Sequence, residues 1–409
     1  MKRVVVTGLG AVTPIGNDVD STWNSIINGV CGIDTITKFD VSDSKVTLAA
    51  EVKDFDATLY IEKKDVRKTD LYTQYAVAAA SQAVKDSDIQ GKVDPERFGV
   101  YVGSGIGGMS SFITNCNAQA KGGSKKVSPF FVPMMISNIA SGTIAINFNA
   151  KGICLPIVTA CATGTHSIGE AYHAIVAGYA DAIITGGAEA TINSLAIDGF
   201  TNCKALSTSS DPKTASIPFD KRRDGFIMGE GAGIIILEEY EHAVARGAKI
   251  YAEICGYGNS CDAHHITAPD PEAEGPMRAI KLAVEEAGIT SNDLIYLNAH
   301  GTSTPPNDRV ETKAIKGVFK EQANDMFVSS TKSMTGHMLG AAGGVEAIFS
   351  VLALKEGVLP PTIGYEEKDE ECDLFYVPNK AIKKDVDYAM STSLGFGGHN
   401  GCLVFKKFK

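Results

Sequence analysis

Short, β-branched apolar runs alternate with helix-length amphipathic stretches along almost the whole chain, and no other property of the sequence narrows the fold as far. In the first half, the runs at 3–6, 98–102, 153–158 and 234–237 read as strands, and the stretches at 21–28, 167–178 and 240–246 read as helices. The second half repeats the pattern, with strands at 250–257, 295–298 and 327–329, helices at 273–287, 308–319 and 343–356, and closing strands at 388–393 and 402–405. A further helix over 69–85 carries Leu71, Tyr75, Ala78 and Ala79 at helical spacing behind Thr69 or Asp70 as N-cap; its alanine-rich face predicts close packing on another element. The chain is of the α/β class. No Pro/Ser-rich linker divides it, and a soft boundary near Gly247 separates halves 1–247 and 248–409 of similar element content, expected to share one continuous interface.

With 409 residues, 44% of them hydrophobic and 21% charged, the chain has apolar material for one large domain or two fused ones. A net charge of −10 argues against a surface that seeks nucleic acid or anionic membrane throughout. The start, Met1-Lys2-Arg3-Val4-Val5-Val6-Thr7-Gly8, is too short in apolar residues for a signal-peptide core, and no run approaches the ~18 apolar residues of a membrane span. Nine cysteines without a C-x-x-C pair read as reduced thiols, which places the protein in a reducing, cytoplasm-like compartment. One stretch, 97–169, contains no Asp or Glu but carries Arg97, Lys121, Lys125, Lys126 and Lys151. It reads first as a mostly buried segment with a few solvated lysines, and alternatively as a docking face for an acidic partner.

Two glycine clusters imitate dinucleotide fingerprints. After Gly8-Leu9-Gly10 the third glycine is replaced by Thr13 and Pro14 interrupts the helix, whereas Gly103-Ser104-Gly105-Ile106-Gly107-Gly108 matches G-x-G-x-x-G but has no following acid for a ribose hydroxyl. Neither supports nucleotide binding. The sharper signal is Val158-Thr159-Ala160-Cys161-Ala162-Thr163-Gly164-Thr165, a cysteine between an apolar run and a helix start. There the helix dipole and free backbone N–H groups are expected to lower the thiol pKa, and the same N–H groups can hold an oxyanion when the thiolate attacks a thioester. Taken alone, the same segment also suits a small buried hydrophobe. Two histidine motifs follow strand ends in polar, glycine-containing loops: Asn298-Ala299-His300-Gly301-Thr302-Ser303-Thr304 and Ser330-Thr331-Lys332-Ser333-Met334-Thr335-Gly336-His337. Neither has metal-ligand spacing, nor does His264-His265 beside Asp262, so no metal is expected.

The cysteine segment, the two histidine motifs and Gly395-Phe396-Gly397-Gly398-His399-Asn400 occur in the order seen in the β-ketoacyl-[acyl-carrier-protein] synthases. Over its whole length the chain resembles their elongating type II branch, β-ketoacyl-[acyl-carrier-protein] synthase II, of bacterial and plastid fatty acid synthesis. Supporting stretches are Pro218-Phe219-Asp220 and Asp224-Gly225-Phe226. The resemblance implies a thiolase-like fold, five layers (αβαβα) in two pseudo-symmetric halves, and a homodimer. It implies a decarboxylative Claisen condensation in which Cys161 carries the acyl group, His300 and His337 donate to the thioester oxygen of the malonyl donor, and Lys332 sets the electrostatics. The N–H groups of Cys161 and Phe396 would form the oxyanion hole. Phe396 would gate an acyl pocket lined by Ile106 and Phe200, Thr302 and Thr304 would bind the pantetheine arm, and Asp308, Glu311 and Glu346 would form a supporting network. The alternative for each of those three acids is an ordinary helix-surface carboxylate.

No resident cofactor is implied, because phosphopantetheine arrives on the acyl carrier protein. That acidic partner would dock on Lys64, Arg67, Lys68, Lys125, Lys126 and Lys204. A thiolase, invited by Cys402, a non-catalytic chain-length subunit and a catalytic polyketide ketosynthase remain as alternatives, the last the nearest. The chain departs from the family pattern at Pro306-Asn307 and at His399, which bears on loop shape and substrate preference.

Overall fold

A computed structural model describes residues 2–408. Nine strands form its main sheet: β1 (Val4–Val12), β2 (Phe98–Gly103), β3 (Ala182–Glu189), β4 (Gly231–Glu239), β5 (Ala252–Cys261), β6 (Ile295–Asn298), β7 (Phe327–Ser329), β8 (Tyr388–Gly395) and β9 (His399–Lys407). Their order is β2-β3-β4-β1-β5-β9-β8-β6-β7. Apart from the edge strand β7, the order is a palindrome of pairing types. In one half β2 is parallel to β3, and β4 is antiparallel to β3 and β1; in the other β6 is parallel to β8, and β9 is antiparallel to β8 and β5. The halves join where β1 pairs antiparallel with β5, from Val4↔Ile254 to Val6↔Ala252.

Six helices clothe this sheet: α1 (Leu71–Ser87), α2 (Ile139–Phe148), α3 (Thr163–Val176), α4 (Glu274–Ala287), α5 (Pro305–Phe319) and α6 (Ala342–Glu356). Helices α3 and α6 each touch strands of both halves and each other, whereas α1 and α2 pack only on the first half and α4 only on the second. The result is outer helices, half-sheet, inner helices, half-sheet, outer helices, the five layers of a thiolase-like fold. Every residue of α6 from Ala342 to Leu354 is buried, as an inner layer requires.

The outer helices approach the strands closely because the strand offers glycine and the helix alanine. A Cβ on Gly8 or Gly10 of β1 would fall 2.2 Å from the Ala83 carbonyl oxygen or 1.9 Å from that of Ala79 on α1. In the other half the same contacts recur, Gly256 against Ala283 at 2.3 Å and Gly258 against Ala279 at 1.7 Å on α4. This explains the Gly8-Leu9-Gly10 cluster without a nucleotide. Asp70 caps α1 through the N–H of Tyr72 (3.3 Å) and also accepts from Ser111, so the cap ties two elements together.

Two expectations fail here. The strand anticipated at 153–158 is reduced to one parallel bridge, Val100↔Cys154, the counterpart of the β6–β7 pairing. The second is the mostly buried reading of 97–169: its lysines are solvated as that reading has them, but Phe112, Val132, Ile146, Leu155 and Val158 are exposed too, and most of the segment is not buried. Strand β3 was missed outright, because Gly186-Gly187 dilutes its β-branched character; tertiary burial on both faces supplies what local propensity lacks. Gly10→Ala and Gly258→Ala should each destabilise the protein by about 3 kcal/mol in urea unfolding, since neither helix nor strand backbone can yield without moving a layer.

Candidate active site

The inner helices begin in matching ways. A single 3₁₀ turn, Ala160–Ala162, leads into α3, and another, Leu339–Ala341, leads into α6. The first residue of each turn is held at positive φ, +50° at Ala160 and +47° at Leu339, where a side chain is strained. The two helix starts touch through glycine, for a Cβ on Gly164 would lie 2.6 Å from the Gly344 nitrogen. Cys161 in the first turn and His337, just before the second, are thereby brought to one place.

Around that place a cavity of about 270 Å³ opens, lined among others by Cys161, Phe200, Lys204, Phe226, His300, Thr302, Thr304, His337, Leu394, Gly395 and Phe396. His300 follows β6, and the loop that carries it is fixed from behind by Glu311 of α5. That buried carboxylate accepts the N–H of His300 (2.7 Å), the N–H of Gly301 (2.7 Å) and the hydroxyl of Thr392 (2.7 Å). His337 is locked into the neighbouring segment, its N–H donating to the Ile227 carbonyl (2.7 Å). The imidazole centroids are 5.2 Å apart and perpendicular, 88°. Neither Nδ1 finds a partner among the described residues. Burial and the adjacent Lys332 cation hold both rings well below the ordinary histidine pKa, so both are neutral N–H donors at physiological pH.

Lys332 itself is buried and ion-paired with Glu346 Oε1, a contact inside the inner layer. Asp308 is fully buried, accepting the N–H of Phe219 (2.8 Å) and facing Arg223 Nε at 3.4 Å. The helix-surface reading of Asp308, Glu311 and Glu346 is thus excluded. Phe219 stacks on Tyr376 (4.0 Å, 9°) and lies under Gly301, so the Asp308 network reaches the His300 loop.

The β8–β9 hairpin closes the other side. A Cβ on Gly395 would meet the Thr159 carbonyl at 2.8 Å and the Cys161 nitrogen at 3.3 Å, which presses the hairpin onto the cysteine turn. Phe396 at its tip lies 6.1 Å from Phe200, and Phe200 is 5.5 Å from Phe226. Thr302 and Thr304 share a 2.9 Å hydrogen bond at the cavity wall. One expectation about the thiol is corrected. Cys161 keeps partial exposure through the cavity, yet the protein around it pushes the thiol up to about 12; Lys332 and the N–H groups of Phe396 and Cys161 pull it down by less. Desolvation outweighs the helix terminus.

Other placements differ from expectation. Ile106 is not brought to the cavity; its side chain is 41% exposed because the turn before it is held inward by Glu189 instead. Cys402 is sealed in β9 and touches no cavity, so the thiolase comparison loses its residue. His399 stands 6.3 Å from His166, behind the hairpin. His264 and His265 are exposed, and no cluster of metal-ligating side chains occurs among the described residues. Sequence reasoning missed Arg223, whose side chain is 2% exposed beside an Arg222 that is 31% exposed. No local signal separates two adjacent arginines. It also missed Glu189, because β3 was missed.

Family models match most of the chain: "Beta-ketoacyl synthase, N-terminal domain" over residues 1–243 and "Beta-ketoacyl synthase, C-terminal domain" over 251–366. The chain belongs to the β-ketoacyl synthase family. It is 55% identical over 409 residues to a 3-oxoacyl-[acyl-carrier-protein] synthase 2 of Staphylococcus aureus, covering 100% of this chain and 99% of the relative. It is 50% identical over 410 residues to the protein of that name from Synechocystis, with 100% and 99% coverage. Among solved structures, a type II polyketide ketosynthase in complex with its acyl-carrier protein superposes with a TM-score of 0.92 at 33% identity, covering 100% of both chains.

The electrostatics of this β-ketoacyl synthase site carry a pH signature. Burial raises the Glu311 carboxyl to about 7, above its unfolded value near 4.5. Between those two values the folded state binds more protons than the unfolded one, so this residue makes stability fall as pH rises through that window. In Glu311→Gln the decline of unfolding free energy from pH 4.5 to 7 should be shallower than in wild type, as measured by urea unfolding at each pH.

Proposed function

We propose that this protein is an elongating β-ketoacyl-[acyl-carrier-protein] synthase of type II fatty acid synthesis. The observation that carries this reading is the convergence of a thiol and two neutral imidazoles on one cavity, with the buried Lys332 behind them, in a chain 55% identical to relatives named 3-oxoacyl-[acyl-carrier-protein] synthase 2. In the first half-reaction Cys161 Sγ attacks an acyl thioester of the carrier protein. The new C–S bond forms as the old one breaks, and the thiol proton leaves on the pantetheine sulfur. The tetrahedral oxyanion sits between the N–H groups of Cys161 and Phe396, the two that face the sulfur.

In the second half-reaction the malonyl thioester loses CO2, and the electron pair of the broken C–C bond becomes an enolate. His300 and His337 donate hydrogen bonds to its oxygen, and their low pKa values keep them as donors that do not surrender charge to the enolate. The carbanion then attacks the acyl carbonyl on Cys161, the sulfur departs as a thiolate that takes up a proton from solvent, and a 3-oxoacyl thioester two carbons longer leaves on the carrier protein. Lys332 opposes protonation of the imidazoles and favours the anions. Thr302 and Thr304 hold the pantetheine arm, while Phe396 turns to admit an acyl chain bound near Phe200. The chemistry draws on no resident cofactor.

The partner is the acyl carrier protein. Support comes from the exposed Lys64, Arg67, Lys125, Lys126 and Lys204, from Lys68, whose ammonium lies over the Phe130 ring at 5.7 Å and so joins two basic segments, and from the relative solved with its carrier. A homodimer is supported by the exposed apolar residues Phe112, Val132, Ile146, Leu155 and Val158, all between β2 and α3, the last two in the segment bridged to the edge strand β2. Nine free cysteines fit a reducing, cytoplasm-like compartment, and no described helix is long and apolar enough to cross a membrane.

Wild type incubated with a long-chain acyl carrier protein should gain the acyl mass, and Cys161→Ala should not; malonyl carrier protein should then release CO2 and a product two carbons longer. An enzyme that takes up no acyl group from any chain length would overturn the reading. Truncating His300 or His337 to alanine should lower the decarboxylation rate about 100- to 1000-fold in a CO2-release assay. Charge reversal of Lys125 and Lys126 should raise KM for the carrier protein and leave turnover of a small thioester nearly unchanged.

A further inference from the structure

Glu189 ends strand β3 with no exposed surface, and the mechanism above does not use it. Its carboxylate is satisfied only by donors. The hydroxyl of Ser104 reaches Oε1 (2.9 Å), and the N–H groups of Gly105 (2.9 Å) and Gly340 (3.1 Å) both reach Oε2. Ser104 Oγ in turn accepts the N–H of Gly107 (2.9 Å), so its proton points at the carboxylate. With every neighbour donating, the site is built for the ionised form, although burial works against it.

The turns that Glu189 holds flank the nucleophile. Gly105 rests on Ala160, whose carbonyl oxygen would be 3.3 Å from a Cβ there, and Gly340 belongs to the turn that follows His337. One carboxylate therefore ties the glycine turn, the cysteine turn and the second helix start together. Charged and titratable groups facing Cys161 are Lys332 and Glu189, with His300, His337, Asp224, Asp262, Lys204 and Cys203 around the same cavity. Those facing Glu189 are the Tyr72 phenol and Cys161 itself, besides the hydroxyls of Ser104 and Thr191.

We propose that Glu189 is a positioning residue for Cys161: it fixes the two turns around the nucleophile, and its negative charge opposes Lys332 at the sulfur. The thiol is thereby kept protonated until an acyl thioester occupies the cavity, and the anionic charge that Lys332 supports is reserved for the enolate and the oxyanion. This rests on the reading of Cys161 as the nucleophile. The test below needs no carrier protein, so its failure is distinct from failure of that reading.

The experiment compares wild type, Glu189→Gln, Glu189→Met and Glu189→Asp, following iodoacetamide alkylation of Cys161 by peptide mass at pH 6 to 9. The exposed Cys203, on the wall of the same cavity, is the internal reference, and thermal melting checks the fold. Gln can keep the contacts, its oxygen accepting from Gly105 and Gly340 and its amide donating to the free lone pair of Ser104. Cys161 should be alkylated about three- to tenfold faster in the Gln variant across this pH range, with Cys203 unchanged and the charge-retaining Asp variant close to wild type. Equal Cys161 rates in wild type and a folded Gln or Met variant would overturn the proposal. So would failure of both charge-free variants to fold while Glu189→Asp folds normally, because the carboxylate would then serve the fold and not the thiol.

Discussion

The contact between the starts of the two inner helices is the constraint from which the rest follows. Gly164 of α3 and Gly344 of α6 leave no space for a side chain, and Gly187 of β3 and Gly233 of β4 close on the same point. Four backbones meet there without a Cβ between them. That proximity places the strained turn carrying Cys161 beside the turn that follows His337, and it does so by backbone packing, which is stiff. Side-chain contacts alone would leave the two halves of the site free to drift by the fraction of an ångström that matters to bond formation.

Charge is arranged around this contact in layers. Nearest the cavity are neutral groups, the thiol and the two imidazoles. Behind them lies a buried cation, Lys332, paired with Glu346. Farther back are Glu311 and Asp308, which hold backbone N–H groups of the His300 loop and of Phe219. An isolated buried charge would cost several kcal/mol, so each is compensated by a named partner. The reacting anions form against these neutral donors, although Asp224 and Asp262 line the same cavity. Neutral donors beside a recessed cation stabilise a transient anion more than a resting thiolate, which agrees with a thiol that burial keeps protonated.

The pseudo-symmetry has a physical cost that the molecule uses. Both halves build the same strand order, the same glycine-on-alanine contact and the same strained helix entry, yet only one entry carries a cysteine. The equivalent position in the other half is Gly340, and Leu339 before it, the counterpart of Ala160, lies in the apolar cluster with Phe226 against which Cys161 and Phe200 pack. The duplicated architecture thus supplies a nucleophile from one copy and the floor of an apolar pocket from the other.

The linear order of residues determined the α/β class, the repeated element content of the halves, and the motifs holding Cys161, His300, Lys332, His337 and Phe396. These were legible because hydrophobic period and short motifs are local properties. The helix over 71–87 and its Asp70 cap were legible for the same reason. What only the tertiary structure decided depends on neighbours distant in sequence. The thiol pKa is set by burial and not by the helix end that the sequence displays. Glu346 is buried because both faces of α6 are covered, and Asp308 and Glu311 lie on the buried face of α5, opposite the exposed Arg309, Lys313 and Lys316; which face meets a layer is set by neighbours distant in sequence. Arg223 and Arg222 differ only in which layer each meets, Ile106 leaves the cavity because Glu189 turns its loop, and strand β3 exists because two flanking layers bury glycines that have no strand preference of their own.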